Sequence, residues 1–249
     1  PIISALKVQC CFIPTAILSN HTGFNNFFFE DYTPKMKEYM NNWETLGLNF
    51  DGICTGFLGS KEQIKIVIDF LQKFKTKDNI VLIDPVMGDH GKLYSTYTDE
   101  MCKEMQKLVK YADVLTPNLT EVCRLLDLSY PNETPSHEEL YILCEKLSFL
   151  GPSKIVITGL QRQGAIENFI FEVNKPYNVI KVEKIGEDRS GTGDVFSSIV
   201  SASIVKGEDF VASVEKATSF ISKSLKFTTE LNLPGNYGVC FEEFLTELK

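Results

Sequence analysis

Apolar runs of strand length alternate along this chain with segments whose apolar positions recur at helical period. Residues 8–14 (VQCCFIP) predict a strand, and residues 34–46 a helix with Thr33 as N-cap and Pro34 at the first helical position. A short strand at 50–55 leads to a helix at 60–74, opened by Ser60 with Gln63 three residues on, the spacing of a capping box. Residues 79–84 (NIVLID) form a continuous apolar run ending in a carboxylate, the pattern of a parallel strand covered on both faces. Further helices are expected at 99–111, 118–126, 137–149 (capped by Ser136), 194–205, 210–227 and, briefly, 241–248. Further strands are expected at 113–115 and 153–158 (SKIVIT), with an antiparallel pair at 165–173 and 178–185. The first six residues, PIISAL, read as the end of a helix, so a segment ahead of Pro1 is expected.

This order predicts a mainly parallel sheet with helices on both faces, a three-layer α/β/α fold in which residues 1–249 form one domain. No internal repeat, low-complexity tract or linker interrupts it, and YPNETP at 130–135 is a loop. In open sheets of this kind ligands bind at the carboxyl ends of the strands. The polar clusters fall at those ends: 20–23, Thr55-Gly56, 84–89, 116–118, Thr158-Gly159 and 191–194.

Composition narrows the function classes. The 249 residues carry a net charge of -8, which disfavours a broad nucleic-acid surface but leaves room for phosphate held by backbone N–H groups and one metal ion. At 43% hydrophobic and 23% charged residues the chain falls within the globular range and can bury a core without disulfides or structural metal. No apolar run approaches the roughly 18 residues of a membrane span. Seven cysteines, an odd number with no C-x-x-C pair, fit reduced thiols in the cytoplasm rather than a disulfide framework or a zinc site.

The candidate chemistry lies in the polar clusters. Gly191-Thr192-Gly193-Asp194 precedes an apolar helix, VFSSIVSASIV. Two glycines flanking one residue let backbone N–H groups turn to a common point, where the helix dipole adds positive potential. That is a seat for a transferring phosphoryl group, with Asp194 able to accept a hydroxyl proton; the plainer reading is an Asp N-cap behind a glycine turn. No Walker A loop occurs, Phe196 stands where a dinucleotide fingerprint needs its third glycine, and the protein-kinase H-R-D and D-F-G sets are absent. Asp84-Pro85-Val86-Met87-Gly88-Asp89 brings two carboxylates to the sheet edge in one loop: hard ligands for Mg²⁺ shared with substrate phosphates, or a strand-ending turn with a solvated Asp89. Asn118 and Glu121 either form a capping box or point into the crevice near the metal and the phosphates. His21, His90 and His137 lack metal-ligand spacing; His21 lies among polar residues, and His137 sits at a helix start without a role. Phe27-Phe28-Phe29 reads as core or dimer packing.

Together and in this order, SNHTGF at 19–24, TGFLGS at 55–60, DPVMGD at 84–89, TPNLTE at 116–121 and GTGDVF at 191–196 resemble the ribokinase-like superfamily and, within it, the pyridoxal (vitamin B6) kinases. The resemblance spans essentially the whole chain. It implies a ribokinase-like fold and ATP-dependent phosphorylation of the 5′-hydroxymethyl group of pyridoxal, pyridoxine or pyridoxamine. On this resemblance Asp194 matches the catalytic base, and Gly191, Thr192 and Gly193 the anion hole for the γ-phosphate. Asp84, Asp89 and Glu121 match acidic positions serving Mg²⁺ and the phosphates, and Asn118 and Thr158 match nucleotide contacts. Thr22 matches the residue that bonds the pyridine, with His21 beside it, and Phe57 a ring-packing position. A monovalent cation, K⁺, near Asp84, Thr116 and Thr158 and a homodimer are implied as well.

The chain departs from the pattern in two places. Many pyridoxal kinases carry Tyr where this chain has Phe57, so a phenol hydrogen bond is missing while ring packing is kept. The family's first strand and its Ser-containing loop would lie upstream of Pro1. Hydroxymethylpyrimidine kinases of thiamine synthesis share the fold and resemble the chain in DPVM and TPN, but typically carry Cys in place of the final Asp of GTGD; Asp194 and SNHTG therefore point to vitamin B6. A sugar kinase of the superfamily would more often show GAGD and a longer lid. A non-catalytic protein that sequesters pyridoxal phosphate would have no need of Asp194 and the acidic phosphate-site residues.

Overall fold

The apolar runs place the central strands between two layers of helices. The computed structural model describes residues 1–21 and 23–248. The chain opens with one helical turn, α1 (Ile2–Ala5), and a small antiparallel ribbon of β1 (Ala16–Leu18) and β2 (Phe29–Asp31). There follow α2 (Thr33–Thr45), β3 (Gly52–Thr55), α3 (Lys61–Phe74), β4 (Ile80–Ile83) and a short hairpin of β5 (Gly88–Asp89) and β6 (Lys92–Leu93). Next come α4 (Asp99–Val109), β7 (Val114–Leu115), α5 (Leu119–Leu125), α6 (His137–Ser148), β8 (Lys154–Arg162), β9 (Ala165–Glu172) and β10 (Asn178–Glu183). The chain ends with α7 (Thr192–Val205), α8 (Phe210–Glu230) and a 3-10 segment, Glu242–Leu248.

The main sheet runs β10-β9-β8-β7-β4-β3. Its β3, β4, β7 and β8 are parallel, and β9 and β10 extend it antiparallel. Alternation along β4 shows why both faces are covered: Val81 and Ile83 join the core under α2 to α6, while Leu82 joins the core under α1, α7 and α8. This is the mainly parallel three-layer α/β/α architecture expected from the pattern. Ser60, Thr98, Asn118, Ser136 and Asp209 each accept the N–H of the residue three further on and so set the starts of their helices.

The structure corrects several expectations. Residues 8–14 are not a strand; the strand is β1, two residues further on, paired with β2, which the pattern did not reveal. Cys10, Cys11 and Phe12 are exposed, and an apolar run without a ladder partner has nothing to hold it extended in a sheet. Phe27, Phe28 and Phe29 are exposed and so are not core. Only half of the capping box at Ser60 forms. The Gln63 side chain, fully buried, instead accepts from Gly59 N and donates to Thr15 O, Asp31 Oδ1 and Thr33 Oγ1, tying the loop after β3 to the ribbon. His137 does have a role. Its Nε2 lies 3.0 Å from the buried Glu167 carboxylate, which also accepts from Arg162 Nε at 3.1 Å. Burial alone would raise the Glu167 pKa, but these two hydrogen bonds outweigh it and hold the group below its ordinary value. Arg162 passes this anchoring on by donating to Pro135 O at 2.6 Å, fixing the 130–135 loop.

Candidate active site

The parallel strands deliver their last residues to one edge. Asp84 follows β4, Thr116 follows β7, Thr55 and Gly56 end and follow β3, and Thr158 lies where β8 reaches the same edge. A cavity of about 1000 Å³ opens there. Its wall includes Asp84, Asp89, Asn118, Glu121, Thr158 and the whole of 191–194, residues separated by more than 100 positions in the chain. His21 and Phe57 lie outside that wall, and Thr22 lies outside the described residues.

Gly191 is the N-cap of α7, at φ +88°, a left-handed conformation that glycine adopts without strain. No side chain caps this helix. Asp194 is its third residue and caps nothing, so the plain N-cap reading fails; the first-turn N–H groups, with the positive end of the helix dipole, remain available to an anion. Thr192 Oγ1 donates to Arg189 O at 3.2 Å and steadies the turn. Across the cleft, a Cβ at Gly56 would stand 3.9 Å from Asp194 Oδ1, so the carboxylate lies between α7 and the loop after β3. It is open to the cavity but enclosed on its protein side, and that desolvation raises its pKa.

Asp84 is buried, and its pKa is pushed up to about 8, by burial first and then by the Asp194 charge, with a Ser197 hydrogen bond working the other way. Glu121 is buried as well and held well above the usual carboxylate range by burial and then by Asp84. Its two oxygens accept from Asn118 N at 2.8 Å and Met87 N at 3.1 Å, while Asn118 Oδ1 accepts from Glu121 N at 3.0 Å. The capping box is therefore formed, and the same carboxylate also clamps the 84–89 loop and faces Asp84. Asn118 Nδ2 donates to Gly88 O at 2.8 Å, which leaves one amide proton for a ligand. Asp89 is half-exposed at the rim, accepting from His90 N. Thr158 N donates to Pro117 O at 2.9 Å, setting the residue beside Asn118.

Among the described residues, no cationic side chain pairs with Asp84, Glu121 or Asp194. The Thr116 and Thr55 hydroxyls are buried there without partners. An all-oxygen set with surplus negative charge fits a hard cation. Among the described residues no three His, Cys, Asp or Glu side chains converge as a closed metal site, so such an ion would take further oxygens from ligand and water.

Outside the cavity wall, Gly23 N donates to His21 Nδ1 at 3.1 Å, so Nε2 carries the proton and donates to Asn236 O at 2.7 Å. Both ring nitrogens are engaged, and His21 joins Gly23 to Asn236. Sequence reasoning missed several wall residues. Tyr94, its phenol pushed up to about 12 by burial and then by the Asp89, Glu121, Asp84 and Asp194 charges, remains a protonated donor. His90 reaches across to Asp188 Oδ2 at 3.1 Å. Arg189 donates to the carbonyls of Leu233, Pro234 and Tyr237. None of these has a local motif, since each is defined by a partner distant in the chain.

The phosphomethylpyrimidine kinase family pattern matches residues 2–239. The chain belongs to the phosphomethylpyrimidine kinase family. The chain is similar to the hydroxymethylpyrimidine/phosphomethylpyrimidine kinase of Aquifex aeolicus, 28% identical over 183 residues, covering 72% of this chain and 69% of that one. A Bacteroides thetaiotaomicron protein assigned to the phosphomethylpyrimidine kinases, crystallised in a form with pyridoxal, is 36% identical with a TM-score of 0.95, covering 100% of this chain and 88% of that one. The pyridoxal kinase of Entamoeba histolytica is 27% identical with a TM-score of 0.88, again over 100% and 88%. Family membership makes this chain a kinase of the pyridoxal and hydroxymethylpyrimidine type, with ATP as co-substrate.

The Asp84 environment has a testable sign. Its folded pKa of about 8 lies above the unfolded value of about 3.9, so the folded state holds a proton that the unfolded state has lost. The associated stability is present at pH 4 and lost as pH rises through about 8. Thermal melts without divalent cation should show Asp84→Asn melting above wild type at pH 8, with the gap closing toward pH 4. Equal melting temperatures at both pH values would contradict the assignment.

Proposed function

We propose that this chain transfers the γ-phosphoryl group of ATP to the 5′-hydroxymethyl group of a vitamin B6 vitamer: pyridoxal, pyridoxine or pyridoxamine. The observation that carries the reading is Asp194, a carboxylate one turn into an uncapped, glycine-led helix that faces Gly56 on the acceptor side. The same helix start can hold the anion being transferred while Asp194 meets the hydroxyl that attacks it. The pyridoxal-bearing relative at 36% identity supports the choice of acceptor.

In this mechanism the first-turn N–H groups at Gly191, Thr192 and Gly193 stabilise charge on the transferring phosphoryl oxygens, and they need no reorganisation to do so. Asp194 aims the substrate hydroxyl and accepts its proton, and its raised pKa makes it a better base than an exposed carboxylate. Asn118 and Thr158 border the nucleotide phosphates. Mg²⁺ among Asp84, Glu121 and Asp89 would neutralise phosphate charge, and K⁺ would use Asp84 and the unpartnered Thr116 hydroxyl. Thr22 and Phe57 belong to the acceptor side. The exposed Phe27, Phe28 and Phe29 are the surface we assign to a homodimer, and the enzyme is assigned to the cytoplasm.

The family pattern and the Aquifex relative favour a second acceptor, hydroxymethylpyrimidine. It is also flat and carries a hydroxymethyl group, so packing on Phe57 cannot separate the two. A buried polar group left unpaired costs about 1–3 kcal/mol, which should give a B6 vitamer at least about a tenfold advantage in kcat/KM. A coupled ADP-release assay with the three vitamers and hydroxymethylpyrimidine measures it. Preference for the pyrimidine would overturn the acceptor, and no turnover with any of them would overturn the kinase reading. In the same assay Asp194→Asn should lower kcat by roughly 10² to 10⁴ with little change in the vitamer KM. Near-normal turnover would remove Asp194 from the chemistry.

A further inference from the structure

The strand β8 breaks its own ladder where it reaches the cavity. Ile157 pairs with Phe169 of β9, and the next pair is Leu160 with Glu167. Thr158 and Gly159 therefore stand against a single residue, Asn168, which is the two-against-one arrangement of a β-bulge. The bulge resets the alternation of faces. Ile155, Ile157 and Leu160 share one core layer, where an unbroken strand would have placed residue 159. Gly159 takes φ +69°, the left-handed region. Thr158 keeps the parallel register of β8 with β7, donating its N–H to Pro117 O and bridging to Asn118. The bulge begins just past that pairing and carries Gly159 and Leu160 along the cavity wall beside Thr158 and Asn118.

Asn168 closes the bulge from across the ladder. Its side chain is buried, with Oδ1 accepting the Gly159 N–H at 3.2 Å and Nδ2 donating to Thr218 Oγ1 on α8 at 2.8 Å. The Thr218 hydroxyl donates to Val214 O at 2.8 Å, so its oxygen is left to accept, and the amide orientation is fixed at both ends. A branched apolar residue of similar size could make neither bond.

We infer that Asn168 is a positioning residue for the nucleotide: it holds Gly159 in the left-handed turn that carries the cavity wall on from the Thr158–Asn118 pair. The inference rests on the proposed reading of this cavity as the ATP site. Its action runs through the backbone of β8 and leaves the acceptor side, beyond Asp194, untouched. Loss of Asn168 should therefore separate the two substrates.

The test uses the full-length protein, with AMP-PNP binding followed by calorimetry and KM measured for ATP and for pyridoxal. Asn168→Leu should raise the AMP-PNP Kd and the ATP KM at least about tenfold and change the pyridoxal KM less than about threefold, the scale set by one buried donor left unpaired. Asn168→Asp keeps the acceptor for Gly159 N–H and should bind closer to wild type than the Leu variant does. Amide exchange at Gly159, read by NMR, should be faster in the Leu variant than in the Asp variant. Gly159→Ala attacks the same bulge independently. Nothing lies within 4 Å of the added Cβ, so only the left-handed backbone resists it, and it should shift the ATP KM in the same direction. It carries the test if Asn168→Leu does not fold. Unchanged AMP-PNP binding in a folded variant, or equal rises in both KM values, would overturn the inference while leaving the kinase reading in place. A wild-type protein that binds no nucleotide would overturn both.

Discussion

Asp84, Glu121 and Asp194 stand together at the edge of the sheet, and no cationic side chain among the described residues balances them. Burying carboxylates without a partner is among the most costly arrangements a fold can hold, and such groups respond by keeping protons. The surrounding structure offsets that cost only in part. Two main-chain N–H groups bind Glu121. What remains is an oxygen-rich, electron-rich corner that a cation and a phosphate chain would complete. The arrangement is poor for stability and suited to binding, as expected where function overrides packing.

The parallel sheet is what makes the corner possible. Because β3, β4, β7 and β8 run the same way, each contributes the residues just beyond or near its carboxyl end, and α7 adds its N-terminus from the opposite side. The loops between are fastened by side chains whose partners are distant in the chain. Gln63 ties the loop after β3 to the ribbon, Arg162 ties 130–135 to β8, and Arg189 ties the turn before α7 to 233–237. The 84–89 loop and the start of α5 share the single carboxylate of Glu121.

Much of this frame was legible in the sequence because its signals are local. The unbroken NIVLID run specified a strand covered on both faces, and Ser60, Asn118 and Ser136 marked caps that form, whereas Thr33, also read as a cap, is the first residue of α2 and caps nothing. Gly191 of the glycine pair around Thr192 marked a turn that glycine makes most easily. Where the deciding partner is remote, the sequence was silent or ambiguous. Asn118 and Glu121 read equally as a cap or as site residues, and the fold makes Glu121 a cap whose carboxylate also faces the cavity. The 8–14 run had strand character without a ladder, and the ribbon that did form is too exposed to leave an apolar stripe. Asn168 matters only through the register of β8 against β9, which no local pattern encodes.

The buried carboxylates Asp84 and Glu121 keep protons, which a bound cation and nucleotide would displace. Calorimetric binding of Mg²⁺-loaded AMP-PNP at pH 7, repeated in buffers of different ionisation enthalpy, counts those protons directly. With Asp84 titrating near 8, binding should release on the order of one proton per site, and Asp84→Asn should release fewer. Binding heats that do not depend on the buffer, with no proton released by the wild type, would contradict the account.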